Sequence, residues 1–336
     1  MKNIYFYPKI DYKIVDPPNP YIFNLENSLS KKYNIVNKNY NKIGVLDFFR
    51  YFFKADLFLF NWIEDLPSYR LGKFQIIVFV LFIYCAKFFG RKIWWTLHNK
   101  YSHGVSKNKW TDFMYKFLIK NSDLILTHSK SGIDFMKENY PLYSSKIKFI
   151  THPIQEILPE SQIEEKIFDF LIWGAISPYK GILEFLKYIN ESHAFSKFKI
   201  LIIGRCFDKE YKTEMNKYLT KNIIHHDNFY EFKEIANFAK KTKFILFTHK
   251  SASVLSSGSL MDSIRMRSII IGPNLGAFKD LNSYSFVNTY NNYDEIIKIY
   301  YNYKFNKTSV YKEMEDFCKE NSWDLFVEKL NMVVGY

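Results

Sequence analysis

The chain has 336 residues, too many for one ordinary hydrophobic core and enough for two α/β domains. Its 48% hydrophobic content excludes a disordered chain, and its three cysteines (Cys85, Cys206, Cys318) lack metal-ligand spacing, as reduced thiols of a cytosolic protein would. The net charge of +13 is uneven: residues 1–153 hold 23 Lys+Arg against 11 Asp+Glu, hence +12, and the remainder 24 against 23, hence +1. A basic half joined to a neutral one suits a first domain that meets an anionic surface, membrane phospholipid or a lipid-pyrophosphate among them; solvated surface lysine is the plain alternative. Nucleic acid is not supported, because the basic residues form no recognition helix or known motif.

Met1-Lys2 leads directly into a strand-like segment, Asn3–Tyr7, with no signal-peptide pattern. Further strands are predicted at Tyr33–Val36, Asp56–Phe60, Ile93–Leu97, Leu124–Thr127 and Ile147–Thr151. Helices are predicted between them at Tyr21–Lys32, Val45–Phe53, Lys73–Phe89, Lys109–Ile119 and Ser131–Asn139. The stretch Lys73–Phe89 holds an unbroken apolar run of 11 residues, Ile76 to Ala86, where a membrane span needs about 20. It reads as a buried helix or as one that partly enters a membrane interface, with Lys73, Lys87, Arg91 and Lys92 at its ends.

Residues Ile154 to Lys166 are polar and acidic and read as an interdomain linker. Alternation then resumes. Strands are predicted at Phe168–Trp173, Lys199–Ile203, Ile223–His226, Phe244–Phe247, Ile269–Ile271 and Ser285–Val287. Helices are predicted at Ile182–Glu191, Lys209–Leu219, Phe232–Lys241, Leu260–Met266, Asp294–Tyr303, Val310–Glu320 and Trp323–Val334. Such alternation means mainly parallel sheets with helices on both faces, and ligands bind beyond the carboxyl ends of their strands. The expected architecture is α/β: two Rossmann-like domains, 1–153 and 167–336, facing across a cleft, with the last helix crossing back to the first.

Three turns of the second half point to one sheet edge. Gly174-Ala175-Ile176-Ser177-Pro178-Tyr179-Lys180-Gly181 would set Lys180 at a helix N-terminus, which suits a diphosphate. Gly204-Arg205 offers a guanidinium fork for phosphate or sugar hydroxyls. Ser256-Ser257-Gly258-Ser259 opens a helix carrying Asp262 in its first turn. A surface lysine and a surface salt bridge are the plain readings of Lys180 and Arg205.

Together these residues resemble the donor half of GT-B glycosyltransferases, particularly those related to glycosyltransferase family 4. The resemblance implies that Lys180, in Lys-Gly at the end of its loop, binds the donor diphosphate, with Gly174 and Gly181 shaping the turn. It implies that Asp262 contacts the nucleotide ribose beside Ser257, Gly258 and Ser259. Two positions depart: Ala175 stands where that family has arginine, and Val254 where it has a sugar-binding glutamate. In the first half, His98 at the end of Trp94-Trp95-Thr96-Leu97 matches a histidine that related enzymes turn toward the donor sugar, and Asn99 and His103 lie on the acceptor side. Asp16, in the turn after the first strand, is placed there too. Glu64 or Asp65 could deprotonate an acceptor hydroxyl. His152-Pro153 is expected near the cleft or hinge.

The reading is a cytosolic, membrane-associated glycosyltransferase at the inner face of the cell membrane. It moves a hexose from a nucleotide diphosphate sugar to a glycan or lipid-linked acceptor in bacterial surface polysaccharide synthesis. It needs no cofactor or metal; no Asp-x-Asp motif is present. Open alternatives are another GT-B enzyme, such as an epimerase or phosphorylase, and a non-catalytic sugar-nucleotide or membrane-binding module.

Overall fold

The computed structural model describes residues 1–9, 19–38, 44–101, 109–160, 164–193, 195–250 and 255–334. Asp16, His103 and Val254 lie outside them. The elements, in chain order, begin with β1 (Asn3–Tyr7), α1 (Pro20–Ser30), β2 (Asn34–Ile35), α2 (Asp47–Arg50), β3 (Leu57–Asn61), α3 (Gly72–Phe88), β4 (Lys92–Leu97), α4 (Lys109–Asn121), β5 (Leu124–Thr127), α5 (Lys130–Asn139) and β6 (Ile147–Phe149). They continue with β7 (Phe168–Trp173), α6 (Ile182–Ser192), β8 (Ile200–Ile203), α7 (Lys209–Asn216), β9 (Ile223–His226), α8 (Phe232–Lys240), β10 (Thr242–Leu246), α9 (Gly258–Arg265), β11 (Ile269–Pro273), α10 (Gly276–Asp280), β12 (Val287–Tyr290), α11 (Tyr293–Asn302), α12 (Lys307–Glu320) and α13 (Trp323–Val334).

The chain forms two compact units, Met1–Thr151 with Trp323–Tyr336, and His152–Ser322. The segment that reads as a linker is docked on the second unit: Ile154 is buried and pairs with Ser322, and the Leu158 amide donates to the Arg265 carbonyl.

The first unit holds a parallel sheet in the order β2-β1-β3-β4-β5-β6. Its strands alternate their side chains between two covered faces, which explains their nearly unbroken apolar sequence. Leu57, Leu59, Trp94 and Leu126 face α1 and α13, where Ile22, Leu25, Trp323 and Phe326 meet them. Phe58 and Phe60 face the other way and meet Phe82 and Phe79 of α3 edge-on. Each such fully buried side chain contributes about 1.5–3 kcal/mol. Helix α1 starts where it does because Asn19 accepts the Tyr21 and Ile22 amides and Pro20 pre-sets the first turn. Helix α2 is shorter than expected: no side chain caps it, and Asp47 instead accepts the Tyr5 hydroxyl at 2.8 Å.

The second unit holds a parallel sheet in the order β12-β11-β10-β7-β8-β9. Strand order reverses between β7 and β10, so the switch-point crevice lies beyond Trp173 and Leu246. The last strand falls later than its predicted span. Ser285 is taken out of the ladder, its amide held by the Glu313 carboxylate, and β12 begins at Val287.

Candidate functional site

In the second unit the loop after β7 is shaped by two close backbone approaches. Gly174 adopts φ +93, and a Cβ there would stand 2.9 Å from Lys180 Nζ; Gly204 adopts φ +143, where a Cβ would meet the Gly174 carbonyl oxygen at 2.1 Å. Only glycine fits either position. The Ile176 amide donates to the Arg205 carbonyl at 3.0 Å, closing the two loops together.

A short 3-10 turn, Pro178–Lys180, then brings Lys180 back over Gly174. The lysine is 8% exposed, and its ammonium donates to the Trp173 carbonyl at 3.3 Å. Among the described residues no carboxylate lies within ion-pair distance of it. Burial alone lowers its pKa to about 8, so the group is mostly charged at neutral pH. A cation withdrawn from water without an anion is costly. Its position fits a ligand that supplies negative charge.

The loop after β10 completes the crevice. Thr248 donates its hydroxyl to the Lys180 carbonyl at 2.7 Å, and its own carbonyl would lie 2.4 Å from any Cβ on Gly181, which has φ +67. Helix α9 follows, capped by Ser257, whose hydroxyl accepts the Leu260 amide and lies 2.8 Å from the Ser259 hydroxyl. Among the described residues, nothing would lie within 4 Å of a Cβ on Gly258 at the start of the helix. Trp173 joins the parts: its indole donates to Ser263 of α9 at 3.0 Å while its carbonyl holds Lys180. Asp262 is partly exposed and paired with Arg265 Nη1 at 2.8 Å. Burial pushes its carboxyl up, and the guanidinium opposes that. Arg265 is in turn anchored on the Glu156 carbonyl and the Phe232 ring. Arg205 is exposed, with its guanidinium over the Phe207 ring. The structure therefore gathers Gly174, Lys180, Gly181 and α9 with Ser257, Gly258, Ser259 and Asp262, while Arg205 reaches outward.

In the first unit His98 directly follows β4, on the face that carries α1. It is buried, stacked on Trp62 with ring centroids 4.1 Å apart and 12° between planes, and edge-on to Tyr21 at 4.9 Å. Trp62 adopts φ 51, an unfavourable conformation for a bulky residue and a mark of local strain. Asn61 donates its amide to the Tyr7 carbonyl at 3.1 Å, which turns its side-chain oxygen toward His98 Nε2 at 3.1 Å. In that geometry Nε2 donates to the Asn61 oxygen. His128 is fixed at both nitrogens, donating to the Ile150 carbonyl and accepting from Tyr21, each at 2.8 Å.

The structure places Glu64 elsewhere. It is 2% exposed, accepts the Trp95 indole N–H at 2.9 Å, and lies on the opposite sheet face from His98, near Tyr115. Burial first, then Asp65, raises its pKa to about 8. Its carboxyl turns into the unit, where burial favours the neutral form. Asp65, on the same turn, is partly exposed. Asn99 lies beyond His98 and accepts the Tyr115 hydroxyl on its carbonyl at 3.3 Å. His152 is buried in the second unit, with Nδ1 donating to the Pro153 carbonyl at 2.8 Å. Trp62, Tyr21, Thr248, Trp173 and Ser263 went unread in the sequence, because their partners lie far away along the chain.

The chain matches solved structures over its whole length. HepE from Anabaena, solved with UDP and glucose, superposes with a TM-score of 0.68 at 11% identity, covering 100% of this chain and 99% of the other. The fold is GT-B. AviGT4, a glycosyltransferase involved in avilamycin A biosynthesis, matches with a TM-score of 0.61 at 11% identity, covering 100% and 98%. A glycosyltransferase from Rickettsia africae matches with 0.59 at 12% identity, covering 92% and 87%. No family model and no curated protein matches the sequence.

Proposed function

We propose that the chain is a glycosyltransferase that moves a hexose from a UDP-sugar to a hydroxyl of a glycan or lipid-linked saccharide, in bacterial surface polysaccharide or glycoconjugate synthesis. The observation that carries this reading is the buried Lys180 ammonium, with no carboxylate at ion-pair distance among the described residues, at the switch point of the second unit. Sugar transfer leaves a nucleoside diphosphate, whose growing charge must be stabilised. Lys180 supplies a full positive charge in a dry setting, and the α9 N-terminus adds backbone N–H groups and a helix dipole. Asp262, oriented by Arg265, takes the ribose hydroxyls, and Gly174 and Gly181 let the backbone come close. No step in this scheme uses a metal.

The first unit supplies the acceptor side. His98 contacts the transferred sugar, and Asp65 with Asn99 lies toward the acceptor hydroxyl. The charge of this unit suits work at an anionic membrane, on its inner face. The donor assignment draws support from fold neighbours solved with UDP-glucose (HepE) and with UDP and GlcNAc (pneumococcal GtfA).

The test is release of UDP from UDP-glucose or UDP-GlcNAc in the presence of saccharide acceptors. Acceptor-dependent release by the natural protein, lost in Lys180→Met, supports the reading. UDP binding without any release would make the chain a sugar-nucleotide-binding module.

A further inference from the structure

We propose that the outward face of α3, extended onto α4 and the segment after α2, is a docking surface that seats in the headgroup region of a bilayer containing anionic lipid. The inference rests on the membrane-facing reading of the first unit and is independent of the donor chemistry.

Helix α3 has two apolar stripes. Ile76, Phe79, Phe82, Ile83 and Ala86 are buried in the unit. Phe74, Ile77, Leu81, Tyr84 and Phe88 follow spacings of three and four residues and so form a second stripe. That stripe faces water: the five are 57, 56, 58, 56 and 85% exposed. A surface helix ordinarily shows polar residues on this side.

Ring contacts link this stripe to exposed aromatics on neighbouring segments. Tyr84 meets the buried Phe117 edge-on at 5.8 Å, and Phe117 stacks at 5.8 Å with Phe113 of α4, which is exposed and meets the exposed Trp110. At the other end Phe88 meets Phe89 at 5.3 Å, and Phe89 meets the exposed Phe53 at 6.1 Å. A concentration of exposed apolar side chains of this kind marks an interaction surface.

Charge decides what covers it. Helix α3 has Lys73 in its first turn, Lys87 in its last, and no Asp or Glu. Lys54, Arg70, Lys116 and Lys120 on flanking segments are exposed, with Asp112 the acidic residue of α4. An apolar stripe with a basic rim fits the interface of an anionic bilayer, acyl chains below and phosphates at the edge. A second copy fits poorly, because a two-fold contact through this face would oppose two basic rims. None of the described helices is long and apolar enough to cross a membrane. At 17 residues, or about 25 Å, α3 would lie in the membrane plane.

Cys85 is an exposed thiol on α3, while Cys206 and Cys318 are buried, so a polarity-sensitive dye on Cys85 reports on this face. The protein is mixed with vesicles of phosphatidylcholine alone or with phosphatidylglycerol added, then floated through a density gradient. The proposal predicts flotation and a blue shift of the dye with the anionic vesicles, both weakened by high salt. Phe74→Ser with Leu81→Ser and Phe88→Ser, and separately Leu81→Lys, should cut flotation by about tenfold or more. A calorimetric UDP titration of the same variants reports whether the fold is intact and tests the donor reading apart from the membrane. No flotation of the natural protein would overturn both this inference and the membrane-facing reading. Equal flotation of the variants would leave membrane binding standing and overturn its assignment to α3. A blue shift without vesicles that grows with protein concentration would assign the face to a second copy instead.

Discussion

Lys180 turns back along its own loop so that Nζ lies 3.3 Å from the carbonyl oxygen of Trp173, the last residue of β7. The indole of the same tryptophan holds Ser263, one turn into α9. A buried cation and a helix N-terminus are thus tied to one strand end, at the point where the strand order reverses. That relationship sets both features at one crevice, where the proposed nucleoside diphosphate would sit.

Lys180→Met keeps the length and apolar stem of the side chain and removes the charge. A lysine pKa depressed from 10.5 to about 8 by burial corresponds to on the order of 3 kcal/mol against the charged form. The variant should therefore melt at the same temperature as the natural protein or higher, while losing the stabilisation that UDP confers. Thermal denaturation with and without UDP measures both. A lysine that merely braced the loop would give the opposite pattern, a lower melting temperature.

The same group sets a pH dependence. The ammonium loses its proton as pH rises through about 8, and an anion binds the protonated form. UDP affinity should fall as pH is raised past that value, and Lys180→Met should lack this fall. Calorimetric titrations on either side of pH 8 provide the comparison.

Gly204→Ala tests the close approach of the β7 and β8 loops. Its φ of +143 and the 2.1 Å gap to the Gly174 carbonyl leave no room for a methyl group. The backbone conformation alone should cost about 1–3 kcal/mol. Denaturant unfolding should show that loss, and UDP affinity should drop with it, because Gly174 shapes the seat of Lys180.

Glu64 and His98 should separate sharply on mutation. With its pKa raised to about 8, Glu64 contributes stability that is full below pH 4.5 and is lost as pH rises through 8. Glu64→Gln should remove that slope, leave the protein as stable or more stable at pH 8, and retain turnover. His98→Ala should keep the UDP affinity and lower kcat by about 10²-fold or more, the range for groups that act in the transition state. Unfolding curves across pH, together with steady-state kinetics, distinguish the two.

His152 gives the reverse sign. Burial lowers its pKa from 6.5 to about 4, so it stays neutral in the folded protein while the unfolded chain takes up a proton. Its contribution is present above pH 6.5 and is lost between 6.5 and 4, amounting to about 3 kcal/mol. His152→Asn should flatten the acid limb of the stability profile.

The fold class was legible because strands covered on both faces announce themselves: Leu124–Thr127 and the Phe170–Trp173 part of Phe168–Trp173 are almost wholly apolar, and the structure keeps both predicted spans. Boundaries slipped where a distant side chain decided them, as Glu313 does for β12. In the site, the loop chemistry of Pro178 to Gly181 could be read locally, since a positive-φ glycine after a lysine is a short-range signal. The burial of Lys180 could not, because it depends on Trp173, Gly204 and Thr248 meeting in space. Glu64 shows the converse. Its place after a strand suggests an acceptor base, but only the packing of Trp95 reveals that the carboxyl turns inward. For α3 the composition left burial and membrane contact both open, and the structure shows one apolar stripe buried in the unit and a second one exposed.

The central claim, that Lys180 and the α9 N-terminus form a nucleoside-diphosphate seat, is tested most directly by calorimetric titration of UDP into the natural protein and into Lys180→Met at neutral pH. One binding site per chain is expected, with an affinity at least about tenfold weaker in the variant, the loss expected for a charge-assisted contact. No UDP binding, or equal affinity in a folded Lys180→Met protein, would contradict it.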